Sequence, residues 1–216
     1  ASALIVVLVY RLTAPYSARW GLLSIALLLL SSTFISETRA VSLDQMLAAV
    51  ALAVFYLGYA HDHFAAAKRL HWVFLLVLLG FAIRGPIGLV IPTGVLCSYY
   101  LINRQWRQLF SFGLLALALL AACVGPLLLL ATLSGGEDFM HDVIRMQFLG
   151  RMDGSEGSGG VLYYFTSSLG NYALAYPIAL LVLLAVLMDG RRAPAPALKL
   201  VLSCAAAAVL VMLGLS

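Results

Sequence analysis

Charge is what this chain has least of. Only 10% of its 216 residues are Asp, Glu, Lys or Arg, where a soluble domain carries about 25%. With 63% of residues hydrophobic, there is too little polar surface to face water, so a soluble domain is excluded. Alternating short strand patterns are missing too. The apolar runs are continuous, which excludes a membrane β-barrel. Cysteine is scarce: Cys97, Cys123 and Cys204 all lie in apolar runs, with no CxxC spacing and no paired loop positions. They read as small buried hydrophobes, and neither a disulfide framework nor a metal cluster follows. The net charge of +4 comes from short basic loops, a signature of membrane orientation rather than of nucleic-acid binding. With no charged segment before it, the first apolar run is not expected to be a signal peptide. With Ala1 inside one apolar run and Ser216 ending another, the chain is expected to be a piece of a longer protein.

What the chain does have is apolar length. Eight segments stand out, at 1–10, 20–35, 41–60, 70–83, 87–102, 110–132, 161–188 and 198–215. Several approach the roughly 20 residues that cross a bilayer as a helix. The expected fold class is an all-α polytopic membrane protein with about eight transmembrane helices. It forms a single transmembrane domain over 1–216, with an outer loop at 133–160.

Loop charge orients the segments. The odd loops hold nine of the 13 basic residues and two of the nine acids; the even loops hold four bases and seven acids. Loops rich in Lys and Arg stay cytoplasmic, so the odd loops are expected inside and the even loops outside. This places Arg84, a lone cation in the long apolar run 72–102, at the outer face. Read as one kinked helix, that run would invert every later loop. Read as two antiparallel helices, it keeps the alternation. A cation in the last turn, then Gly85, then Pro86 is also a helix stop followed by a helix start.

The second loop has the pattern of a capping box, with Ser42 as N-cap and Gln45 as its partner at the third helical position. Asp44 falls in the first turn, where a negative charge suits the helix dipole. The loop at 133–160 opens on Ser-Gly-Gly. It continues through an amphipathic stretch around Val143 and Met146, suited to lying on the membrane surface, and ends in a flexible Gly/Ser run. Tyr163 and Tyr164 then open the next helix at the interface, as aromatic belts do. His61, Asp62, His63 and His71 fall in an inner loop and read as interfacial residues rather than as metal ligands. His141 lacks partner spacing.

At this point the order of motifs resembles a known family. Glu37-Thr38-Arg39 followed by Leu43-Asp44, then Leu79 to Pro92 with Arg84-Gly85-Pro86-Ile87-Gly88 at its centre, is similar to the GT-C glycosyltransferases. The nearest branch holds the protein mannosyltransferases and the aminoarabinose-lipid A transferase, whose pattern is Leu-Thr-Lys-Gly-Pro-x-Gly-x-x-x-Pro. Trp106-Arg107, Phe148-Leu149-Gly150-Arg151-Met152 and Tyr163-Tyr164 continue the likeness. Arg stands here for Lys, Met152 for a Phe, and Gly160-Val161-Leu162 for a Gly-Pro.

The resemblance implies a multi-pass enzyme of the bacterial inner membrane. It would move a sugar from a polyprenyl-phosphate donor to a lipid or protein acceptor on the periplasmic face. It implies Arg84, Arg151, Arg39 and Gly85 as the donor-phosphate site and Asp44, Tyr163 and Tyr164 near the acceptor. The acidic catalytic loop would precede Ala1. The partners are the donor, the acceptor and membrane lipids, with no nucleic acid. No cofactor is called for, and a divalent metal stays open. Beside this stand plainer readings. Arg84 can simply cap the preceding helix and snorkel to headgroups. Arg39, Arg145 and Arg151 can be solvated loop charges. The whole chain can be a transporter or permease, which predicts ionisable groups at mid-membrane and paired broken helices, or a membrane scaffold.

Overall fold

The fold comes from a computed structural model that describes residues 1–40, 42–64 and 71–144, and residues 181 and 184 singly. Six helices follow in order: α1 (Ser2–Thr13), α2 (Ala18–Leu29), α3 (Ser32–Arg39), α4 (Leu43–His63), α5 (His71–Ile102) and α6 (Trp106–Ile144). The described residues contain no strand. Helices dominate because a bilayer offers no partner for a free backbone N–H or C=O. Stray hydroxyls are satisfied the same way. Thr93 and Ser98 donate to the carbonyls of Leu89 and Gly94, four residues back, at 2.8 and 2.7 Å.

By length and composition alone, three helical segments are apolar enough to cross a membrane: α4, α5 with its two parts taken together, and α6 as far as Leu130. A fourth span results if α2 and α3 are taken together, bent by 71°. The expected count of about eight is therefore not reached among the described residues. The segments expected at 161–188 and 198–215 lie outside them.

Two boundaries depart from expectation. The single segment expected at 20–35 is broken after Leu29, because Ser31 caps a new helix and its hydroxyl accepts from Phe34 N at 3.4 Å. Ser-Ser-Thr at 31–33 favours that cap, since short hydroxyl side chains compete for backbone groups inside a helix. Glu37 and Arg39, expected in a loop, are consequently helical. Likewise, residues 133–144, expected to begin the outer loop, continue α6.

The backbone of α5 reverses. Arg84 (φ −139°, ψ 23°) and Gly85 (φ 64°, ψ −146°) are non-helical, and two contacts show how far the chain turns. A Cβ on Gly80 would collide with the Gly88 carbonyl, and one on Gly88 with the Gly80 carbonyl. In a straight helix those residues would lie about 12 Å apart. At the far ends, Phe74 and Tyr100 both contact the Phe112 ring, tilted and edge-on, with ring centroids 5.6 and 6.1 Å away. So α5 is a hairpin of two arms, 71–83 and 86–102, and the expected helix–turn–helix at Arg84 is the observed one. Gly85 makes it possible, because its φ and ψ belong to a region open essentially to glycine alone.

Helix α4 is the centre. More than half of its apolar window is buried, against 6% for α6. Val54, Phe55 and Tyr59 of α4 meet Val73 and Val77 of the first arm and Leu89, Leu96 and Tyr99 of the second. Small residues let the backbones approach, as membrane packing requires. A Cβ on Gly58 would collide with Leu96, and one on Gly21 would press on the Tyr10 ring at 2.8 Å. The turn from α5 to α6 is a Schellman motif. Arg104 N bonds Leu101 O at 3.1 Å and Gln105 N bonds Tyr100 O at 2.9 Å. Arg104 holds the left-handed position (φ 55°) where glycine is usual.

Candidate functional site

The bundle has two polar ends, and the chain alternates between them. The start of α4 and the elbow of α5 share one end. The end of α4, the α1–α2 link and the α5–α6 turn share the other. Among the described residues, the second and fourth loops thus lie at one end and the first, third and fifth at the opposite one, as loop charge required.

At the elbow end, Ser42 N-caps α4, and its hydroxyl accepts from Asp44 N at 3.2 Å. The expected capping box is not completed. Ser42 pairs with the second helical N–H rather than the third, and Gln45 turns inward, 7% exposed, its Nε2 buried without a partner. Asp44 in the first turn forms an ion pair with Arg84, and both side chains stay open to solvent, 64% and 35% exposed. Gly85 follows Arg84, and Pro86 begins the second arm, with no N–H to lose. The free N–H ends of α4 and of that arm therefore open on the same place, beside a guanidinium. This is the arrangement that holds an anion. Arg39 ends α3 three residues before Ser42, exposed and with no ion pair among the described residues. Arg84, Gly85 and Asp44 are brought together. Arg151, Tyr163 and Tyr164 lie outside the described residues, as does Arg145. Asp44, expected near the acceptor, is also the charge partner of Arg84.

The opposite end was not anticipated. Asp62 Oδ2 accepts from the Tyr99 hydroxyl at 2.9 Å and from Gln105 Nε2 at 3.0 Å. Tyr99 also reaches His63 Nε2 at 3.3 Å. The Tyr16 and Tyr59 hydroxyls are hydrogen-bonded, and the His63 ring lies 4.4 Å from that of Tyr59. One carboxylate thereby ties α4, α5 and the start of α6. Burial raises the Tyr16 phenol above its usual range. Among the described residues no three His, Cys, Asp or Glu side chains are placed to hold a metal. The signal for this network was present in the matched positions of Asp62, Tyr99 and Gln105 at the ends of antiparallel segments. Spacing along one segment gives Asp62 only the reading of an interfacial residue in an inner loop.

The sequence pattern of the dolichyl-phosphate-mannose-protein mannosyltransferase family matches residues 1–129. That span covers α1 to α5, the elbow and most of α6. The chain belongs to this family. Membership identifies it as a membrane protein of the GT-C glycosyltransferase type and agrees with the resemblance carried by Arg84 to Pro92. The description of the mannosyltransferase family names a lipid-linked sugar as donor. No curated protein and no solved structure matches the chain.

Proposed function

We propose that the protein is an integral inner-membrane glycosyltransferase, part of a bundle of about eight spans. It moves a sugar from a polyprenyl-phosphate donor to a lipid or protein acceptor on the periplasmic face. The observation that carries this reading is the elbow, where Arg84 stands between two helix N-termini at one end of the bundle.

The chemistry asks for such a group. An acceptor hydroxyl or amine attacks the anomeric carbon and loses its proton to a base, while the bond from that carbon to the phosphate oxygen breaks. The departing polyprenyl phosphate goes from one negative charge to two. A fixed cation aimed at that oxygen stabilises the charge as it develops, which is the form of catalysis with the largest single effects. Arg84 takes this role, with the backbone at Gly85, and Arg39 and Arg151 are further phosphate contacts. Asp44 holds Arg84 in place until the phosphate arrives, and it borders the acceptor site with Tyr163 and Tyr164.

The test is transfer from a lipid-linked sugar by the full-length protein in membranes. Arg84→Ala is expected to lower turnover about 100-fold or more, the scale of one lost charge-stabilising donor. Arg84→Lys keeps the charge without the planar fork and should retain part of the activity. Unchanged donor affinity and turnover in Arg84→Ala would overturn the assignment.

A further inference from the structure

The Arg84 side chain can act only from where the elbow places it, and the arms of the elbow meet in one close crossing. The two arms of α5 meet at Gly80 and Gly88, four residues before and four after Arg84. Each carbonyl oxygen sits where the other glycine's Cβ would be. Helices with ordinary side chains pack 8–10 Å apart; here the backbones touch, and the contacts available are Cα–H to carbonyl. The third member is α4, since the Val50 side chain lies 3.6 Å from the Cβ position of Gly80. Pro92 completes the set. It stands four residues after Gly88 and has no N–H, so the Gly88 carbonyl loses its helical donor and is free for the other arm.

We infer that Gly80, Gly88 and Pro92 are positioning residues whose crossing sets the reach of Arg84 to Asp44 and, resting on the reading above, to the donor phosphate. The spacing in Gly85-Pro86-Ile87-Gly88 through Pro92 then has a mechanical meaning. Gly85 turns the chain, Pro86 starts the return arm, Gly88 admits the crossing, and Pro92 leaves the carbonyl that fills it. A methyl at the crossing wedges the arms apart one turn below Arg84. The displacement is transmitted because the opposite ends of both arms are held by Phe112 and the Asp62 network. Placement errors of about 1 Å cost a reaction on the order of 100-fold.

The experiment uses the full-length protein with Cys97, Cys123 and Cys204 replaced by Ala. Nitroxide labels at positions 44 and 84 report the elbow by dipolar broadening; labels at 64 and 106 report the opposite end. Gly80→Ala and Gly88→Ala should weaken broadening at 44/84 and leave 64/106 unchanged. In the unlabelled enzyme the same variants should lower kcat/KM for the donor about 10–100-fold. Adding Val50→Ala to Gly80→Ala should restore part of both, because the first arm can then move toward α4. Pro92→Ala adds no bulk at the crossing. It should shift both readouts in the same direction by less, and it carries the test if the alanine variants fail to insert. Unchanged 44/84 broadening, or equal loss at both label pairs, overturns the positioning role. A wider elbow with an unchanged kcat/KM for the donor leaves the positioning intact and overturns the phosphate role instead.

Discussion

At the Asp62 end of the bundle, one carboxylate is bonded by Tyr99 and Gln105 from two neighbouring segments, and the tyrosines beneath it are almost wholly buried. At the elbow end, one ion pair joins two side chains open to solvent, above a crossing made of glycine. Both ends use one acid and a few donors. The difference is what those groups can still do. Bonded to two donors inside a packed bundle, Asp62 is committed to holding helices. Arg84 keeps an exchangeable partner, because an exposed ion pair contributes less than about 1 kcal/mol and can be traded for a stronger anion. Rigidity at one end and exchange at the other suits the role proposed for the elbow, to receive and release a charged lipid.

The largest contrast is expected when Arg84→Ala is set against Asp62→Ala. Arg84→Ala should abolish nearly all transfer while shifting thermal unfolding in detergent by less than about 1 kcal/mol. Asp62→Ala should cost about 1–2 kcal/mol of stability, because it removes two part-buried hydrogen bonds while His63 still reaches the Tyr99 hydroxyl. If Asp62→Ala left the unfolding midpoint unmoved, the view of that end as a clamp would fail.

A smaller effect is expected at Gly85. Its backbone conformation excludes a Cβ, so Gly85→Ala should lose about 1–3 kcal/mol and reduce transfer as well. Loss of stability with full activity would mean that the elbow is structural only. The smallest effect has the opposite sign. Arg104→Gly relieves a left-handed residue at the α5–α6 turn and should raise the unfolding midpoint by the equivalent of about 1 kcal/mol, with no change in transfer. A change in transfer there would blur the division between the two ends.

Much of this was legible in the chain itself. Apolar length and poverty of charge determined that the protein is helical and membrane-embedded, because no other structure satisfies its backbone in lipid. The alternation of loop charge determined that Arg84 and Asp44 share an end and that Asp62 lies opposite. Gly85-Pro86 determined the reversal, through the backbone conformations those two residues permit and forbid. The motif around Arg84 carried the family.

Tertiary structure decided the pairings. That Asp44 is the partner of Arg84, and Asp62 that of Tyr99 and Gln105, depends on which helices are neighbours and at what height they cross. Periodicity along one segment does not contain that information. Gln45 shows the same limit: its spacing from Ser42 suits a capping box, but packing turned the amide inward. The break at Ser31 was obscured by the apolar run around it. The meaning of Gly80, Gly88 and Pro92 appeared only when the two arms were brought together. A missing Cβ or a missing N–H has no effect until another backbone arrives to occupy the space.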